Sequence, residues 1–219
     1  MRGRTRWWAA GITIAVLALG ASAGWPQPSV EEAILPLAEY KAPDGRALAR
    51  VHLGELQALY RSVRRCAPEL DFHRHGLGFR RPLGSDAEPL HLATWVWIPS
   101  EPALPRDGIG ARAAEAFRRY GATLLTQLAA REAIHADPRV GGYSLVLTWI
   151  KPLKADPPIG ESLVVFLPKS AVMPFVGGQA TLTELLAQAR IRAFEGQTEV
   201  SVGGLTVPDQ AGSVRPPLC

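Results

Sequence analysis

The chain of 219 residues has few of the motifs by which enzymes and nucleotide-binding proteins are usually recognised. It contains no His-Glu-x-x-His zinc helix and no phosphate-binding P-loop. The segments 142–146 and 160–164 begin like the Gly-x-Ser-x-Gly nucleophile elbow, but both lack the second glycine that the tight turn requires. Acidic residues near the ends of predicted elements, Glu101, Asp107, Glu161 and Glu195, do not by themselves indicate a catalytic carboxylate pair. No reaction and no organic cofactor are therefore predicted.

A large excess of one charge is also missing. The chain has 24 Lys and Arg residues against 20 Asp and Glu. Residues 1–23 hold three of the basic residues and no acid, which leaves 21 basic and 20 acidic residues and a net charge of +1. Nucleic-acid binding depends on a basic face, so it is not predicted. The local cluster Arg61, Arg64 and Arg65 is interpreted as a solvated helix end, with a polyanion-binding patch as the alternative.

Only one long apolar run is present, and it lies at the start of the chain. Three arginines precede an apolar stretch at 7–19, and a small-x-small site ends at Ala23. This arrangement is typical of a secretory signal peptide, and it predicts cleavage after Ala23. The Ala, Arg, Gly and Pro bias indicates a GC-rich bacterium, so we expect a periplasmic or extracellular protein. No later run is long enough to span a membrane.

Cysteine occurs only twice, as Cys66 and Cys219. In an oxidising compartment two cysteines favour a disulfide bond, which would attach the end of the chain to the rest of the protein. Two alternatives remain open. Cys66 is a small core residue while Cys219 stays a thiol, or Cys219 forms a bridge to another molecule.

The remaining pattern predicts one globular α+β domain over residues 24–219. Apolar residues recur at helical spacing, alternate as in strands, or follow a capping box at Thr181. The predicted elements are helices at 46–66, 109–135 and after Thr181, extended residues within 70–80 with a turn or bulge at Gly76 and Gly78, strands at 90–98, 143–151 and 162–167, and an extended region at 194–207. From Leu90 onward the order is strand, helix, strand, strand, helix, strand. This order indicates a ferredoxin-like, split βαβ antiparallel sheet with helices packed on it, preceded by an N-terminal helix.

One cluster has residue types that bind metals. In a strand, alternate side chains share a face, so Asp71, His73 and His75 are expected to point the same way. Imidazole and carboxylate groups are common ligands of zinc and other transition metals. These three residues are therefore the predicted metal site, and a half-exposed polar strand face is the alternative.

Tryptophans at 95, 97 and 149 lie on predicted strands. They are interpreted either as core aromatics or as an exposed platform for a protein or sugar partner. The export signal, the expected disulfide, the small α+β domain and the lack of a catalytic signature favour a non-catalytic binding domain of the bacterial cell envelope whose partner is an envelope protein or a glycan. The alternatives are a small secreted metal-binding protein or metal-dependent hydrolase using Asp71, His73 and His75, and a metal-independent hydrolase.

Overall fold

The computed structural model describes residues 27–82, 87–98, 104–105, 108–151, 158–202, 205 and 207. Within these residues the helices are α1 Val30–Ala33, α2 Pro43–Val51, α3 Leu53–Cys66, α4 Ile109–Ala116, α5 Ala122–Ala129, α6 Glu132–Ala136, α7 Lys169–Val176 and α8 Leu182–Ala187. The strands are β1 Asp71–Arg80, β2 Leu90–Trp97, β3 Val140–Ile150, β4 Gly160–Pro168, β5 Arg190–Glu195 and β6 Thr198–Val200. The protein is therefore of the α+β class.

The strands form one six-stranded sheet in the order β1-β2-β3-β4-β5-β6. All neighbouring pairs are antiparallel except β2 and β3, which run parallel. A parallel pair needs a crossover connection, and helices α4 to α6 supply it. The ferredoxin-like order is not confirmed, because β5 pairs with β4 while β1 occupies the outer edge of β2.

The main core lies on one face of the sheet. Buried side chains that alternate along the central strands belong to a single cluster with residues from the helices; those from the strands include Leu92, Val96, Tyr143, Leu145, Leu147, Trp149, Leu163, Val165 and Leu167. The intervening buried residues Ala93, Val164 and Phe166 do not belong to that cluster. The described helices thus pack on one face of the sheet, and the opposite face, which none of them is seen to cover, is called the helix-free face.

Two capping boxes fix the starts of short helices. Ser29 accepts a hydrogen bond from the backbone N–H of Glu32 at the start of α1, and the Glu32 carboxylate accepts one in return from the Ser29 N–H. Thr181 and Glu184 form the same reciprocal pair at α8. The capping box predicted at Thr181 is confirmed, because the signal depends only on residues three apart.

The predicted helix at 46–66 is interrupted at His52. This residue has φ −103° and ψ 19°, outside the helical range, and it separates α2 from α3. Its Nε2 lies 3.0 Å from Oδ2 of Asp137, which is distant in the chain. The helix therefore breaks where a tertiary contact holds the histidine, and not at Gly54.

The predicted helix at 109–135 is likewise divided. A π-helical turn, Phe117–Gly121, separates α4 from α5, and α5 ends before α6 begins at Glu132. A Cβ atom on Gly121 would come within 2.6 Å of the Phe117 ring. The wide turn therefore accommodates the Phe117 side chain against a backbone position that only glycine leaves open.

Of the turn or bulge predicted at Gly76 and Gly78, the structure shows a bulge and no return strand: β1 is one strand that pairs with β2 at Asp71 and Phe72 and again from Leu77 to Arg80, with the register shifted in between. Several sequence predictions lie outside the described residues: the signal peptide at 1–23, Cys219, Glu101 and Asp107. None of the described helices is long and apolar enough to cross a membrane.

Candidate functional site

The helix-free face consists of the strand side chains that point away from the helical layer. Strand alternation and the pairing register place on it Asp71, His73 and Arg80 of β1, His91, Ala93, Trp95 and Trp97 of β2, Ser144, Val146 and Thr148 of β3, Ser162, Val164 and Phe166 of β4, and Arg190, Arg192 and Phe194 of β5. It combines aromatic rings, hydroxyl groups and arginines. This composition is unlike that of the core on the opposite side.

An aromatic corner lies at the β1–β2 end of this face. The Trp95 and His73 rings are stacked, with their centroids 3.7 Å apart and their planes 5° from parallel. The Trp97 ring centroid lies 6.4 Å from that of His73. Both tryptophans are partly exposed. They therefore provide large apolar surface that is only partly removed from water.

The electrostatic state of His73 follows from this packing. Burial lowers the pKa of the His73 imidazole, and the hydrogen bond from Nδ1 to the Arg74 carbonyl oxygen, 2.8 Å long, opposes that shift. The neutral ring is therefore favoured near pH 7. A neutral imidazole stacked on an indole makes the corner an uncharged surface.

Polar groups at the centre of the face bond to one another. The Trp95 indole N–H donates to Oγ1 of Thr148 at 2.9 Å. The Thr148 hydroxyl lies 3.1 Å from that of Ser162 on the next strand. This chain of contacts crosses β2, β3 and β4, and it satisfies the polar groups internally.

His91 and Ser144 form the only described pair on this face with the distance of a nucleophile and its base. Nδ1 of His91 lies 3.0 Å from Oγ of Ser144, and both residues are buried. Burial lowers the pKa of the His91 imidazole. The hydrogen bond of the ring to the Tyr143 backbone and the charge of Glu88 oppose that shift. Ser144 lies in mid-strand, paired with Ala93 on one side and Phe166 on the other. That backbone belongs to the sheet ladder and is not arranged as an oxyanion hole, so the pair is best explained as packing.

Charged residues surround the aromatic centre at the β4–β6 end. The Arg190 guanidinium lies 4.7 Å from the Phe166 ring centroid and donates to Glu88 at 2.7 Å. Arg192 lies 5.3 Å from the Phe194 ring centroid and donates to Glu199 at 2.8 Å. The bond to Glu199 raises the pKa of Arg192. These two arginines therefore place positive charge at the edge of the helix-free face, and their guanidinium groups lie over aromatic rings.

The structure does not bring the predicted metal ligands together. Asp71 accepts a hydrogen bond from the Gln27 side-chain amide, and its carboxylate lies 3.6 Å from the Arg64 guanidinium. His75 turns to Glu39, with Nδ1 2.9 Å from Oε2. Among the described residues no group of three His, Cys, Asp or Glu side chains could hold a metal ion. The metal assignment has no geometric support.

A bulge in β1 explains this divergence. His75 has φ 56°, and a Cβ atom on Gly76 would come within 2.6 Å of the Trp95 carbonyl oxygen. The bulge inserts extra residues into β1 at a position where only glycine fits, and this interrupts the expected alternation of Asp71, His73 and His75. Two of the three expected ligands lie on one strand side, while His75 follows the distorted backbone.

Trp149 belongs to a buried polar cluster and not to the platform. Its indole N–H donates to Oε2 of Glu161 at 2.6 Å, and Arg112 donates to both carboxylate oxygens at 2.6 Å. Glu161 is 0% exposed and Arg112 is 4% exposed. Sequence reasoning missed this pair because the two residues are 49 positions apart and neither belongs to a motif. Glu195, another of the acidic residues near the ends of predicted elements, accepts a hydrogen bond from the Lys151 ammonium group at 2.6 Å.

Comparison of the chain with protein-family models, with curated proteins and with solved structures finds no match.

Proposed function

We propose that this protein is an exported, non-catalytic binding domain of the bacterial cell envelope that recognises a partner protein through the helix-free face. The observation that carries the proposal is the position of Trp95 and Trp97. Both lie partly exposed on the one face of the sheet that the helices leave uncovered. Tryptophan and arginine are the side chains most enriched at the energetic centres of protein interfaces.

The arrangement of the face supports this proposal. Its centre is apolar or internally hydrogen-bonded: Trp95 and Val146 are partly exposed, while Val164 and Phe166 beside them are buried within the chain. Its rim carries charged pairs, of which Arg192 with Glu199 is one. A desolvated centre within a polar rim is the usual anatomy of a protein–protein interface.

A glycan is the less favoured partner. A sugar needs unpaired hydrogen-bonding groups beside the aromatic rings to bind its hydroxyls. On this face the Trp95 N–H and the hydroxyls of Thr148 and Ser162 already bond to one another. An apolar contact surface is better suited to a protein partner that brings its own buried side chains.

Export and the disulfide bond are parts of the same proposal. Cleavage after Ala23 would deliver the chain to an oxidising compartment, where Cys66 and Cys219 would pair. Cys66 lies at the end of α3. A mass two protons below that of the reduced chain 24–219 would support both steps, and a mass retaining residues 1–23 would count against them.

Site-specific photo-crosslinking in the exporting cell tests the proposed face. A benzophenone amino acid is placed at position 97 or 146 on the helix-free face, and at position 51 or 173 on the helical layer as controls. Val51 and Met173 are 66% and 40% exposed, so both control positions are accessible. We expect one discrete protein adduct at 97 and 146 that is absent at 51 and 173.

A second variant separates binding from folding. With the crosslinker at 146, a Trp97→Ala substitution should reduce the adduct by more than about tenfold, as expected for a residue at the centre of an interface. Met173→Ala is the matched control and should leave the adduct unchanged. Adducts of equal strength at all four positions, or adducts with glycan and no protein, would contradict the proposal.

A further inference from the structure

A basic cleft lies in the helical layer, away from the helix-free face. It is lined by Ala58, Arg61, Ser62 and Arg65 of α3 and by Arg131, which connects α5 to α6. Its volume is about 290 Å³. That volume is close to the lower end of the range for small-ligand sites.

Two of its arginines have no counter-charge among the described residues. Arg61 and Arg65 are four positions apart on α3, so their side chains lie on the same side of the helix. Neither has a hydrogen bond or ion pair with any residue that the structure describes. Their neighbour Arg64 differs, since it donates to the carbonyl oxygen of Leu70 at 3.1 Å and lies 3.6 Å from Asp71.

The third arginine is partly buried and incompletely bonded. Nε of Arg131 is a buried donor that has no hydrogen-bond acceptor. The nearest described carboxylate is that of Glu55, with Oε2 4.0 Å from Nη1 of Arg131. A buried donor without an acceptor costs free energy, and an oxyanion bound in the cleft would supply the missing acceptor.

We propose that this cleft binds a phosphate group. Guanidinium groups match the geometry of phosphate oxygens through paired N–H donors. These charge-assisted hydrogen bonds are stronger than hydrogen bonds between neutral groups. Arg61, Arg65 and Arg131 surround one small space with three positive charges. The Ser62 hydroxyl donates to Oε1 of Gln127, which fixes the cleft wall between α3 and α5.

The phosphate group has two sources, a small soluble phosphate compound or the headgroup of an anionic lipid. The first is probed by titration calorimetry with inorganic phosphate at constant ionic strength. The second is probed by co-sedimentation with phosphatidylcholine vesicles that contain phosphatidylglycerol, against vesicles of phosphatidylcholine alone. Constant ionic strength is required because surface charge is screened by salt.

The test variant is the double substitution Arg61→Gln/Arg65→Gln. The control is Arg50→Gln combined with Arg74→Gln, which removes the same charge from exposed residues outside the cleft. We expect saturable one-to-one binding of phosphate, or of the anionic vesicles, that the cleft variant weakens by at least about tenfold and the control leaves within about twofold. Thermal unfolding checks that both variants are folded.

The outcomes distinguish the sources and the failure. Saturable binding of inorganic phosphate supports a soluble ligand, and binding of anionic vesicles alone supports a lipid headgroup, provided that the cleft variant loses it. If neither probe binds, or if the control variant loses binding equally, the cleft is not a phosphate site. Neither result changes the proposal for the helix-free face, because the cleft lies in the helical layer.

Discussion

Leu145 and Val146 are neighbours on β3, yet they belong to different surfaces of the molecule. Leu145 is fully buried against the helices, whereas Val146 is partly exposed on the helix-free face. The same contrast continues on β4, where Val165 belongs to the main core and Val164 does not. One strand thus contributes one set of side chains to the main core and the next set to the proposed recognition surface.

The two faces also treat charge differently. On the helix-covered side, Arg112 and Glu161 form a buried pair under the helices. On the helix-free side, Arg190 and Arg192 pair with carboxylates that are partly exposed. Breaking the buried pair is therefore expected to cost much more stability than breaking either of the exposed pairs.

The largest expected effect comes from breaking the buried pair. Glu161→Ala removes the buried carboxylate that accepts hydrogen bonds from Arg112 and Trp149, and we expect the free energy of unfolding to fall by about 3–5 kcal/mol. Chemical denaturation of the purified protein measures this loss. Glu195→Ala is the matched control, since Glu195 pairs with Glu161 in the sheet register but bonds to a partly exposed Lys151. The control should cost no more than about 1 kcal/mol, and equal losses would contradict the account.

A second comparison uses the same substitution on each face. Val165→Ala removes two buried methyl groups from the main core and is expected to cost about 2–3 kcal/mol. Val146→Ala on the helix-free face should cost less than about 1 kcal/mol, because its side chain is already partly exposed. Urea denaturation at one pH gives both values. If Val146→Ala proves as costly as Val165→Ala, the helix-free face is a second core and not a recognition surface.

A smaller effect depends on pH. Burial lowers the pKa of His73 and of His91 below the usual value of 6.5, so the unfolded chain binds protons more readily than the folded one. The free energy of unfolding should therefore fall as the pH decreases from about 7 through 6.5, and it should level off below the folded-state values. Burial also lowers the pKa of His135, so this residue contributes to the pH dependence in the same direction.

The His91→Asn variant isolates part of this dependence. It should flatten the loss of stability between about pH 7 and pH 5, as measured by denaturation at each pH. Keeping the pH above about 5 leaves carboxylates with lowered pKa values, such as Glu115, charged throughout. An unchanged slope in the variant would show that His91 is not a source of the effect.

The smallest expected effect is that of a chelator. Asp71 and His75 turn to different partners, so removing divalent metals should leave the melting temperature unchanged. Scanning calorimetry with and without EDTA measures this. A drop in melting temperature that His73→Ala abolishes would restore the predicted metal site.

Local patterns predicted the parts of this fold that depend on nearby residues. The capping box at Thr181 needs only Glu184, and the alternation along β2 already separates Leu92 and Val96 from Trp95 and Trp97. The strand and helix types were therefore accessible from the sequence.

The parts that could not be predicted depend on distant contacts. Gly76 indicated a turn or bulge, but which of the two it forms follows from close packing against the Trp95 backbone, and the break at His52 follows from its contact with Asp137. Likewise, no local sequence pattern predicts that β5 pairs with β4. The candidate site was predicted only as a set of tryptophans, because their separation into Trp149 in the core and Trp95 and Trp97 on the surface required the register of three strands.

The central claim is that the helix-free face meets a protein partner, and hydroxyl-radical footprinting of Trp97 tests it most directly. The oxidation of Trp97 is compared between the purified protein and the protein in the intact cell, with Met173 as an internal reference on the helical layer. Protection of Trp97 in the cell, with the oxidation of Met173 unchanged, is the predicted result. Equal oxidation of Trp97 in both samples would contradict the claim.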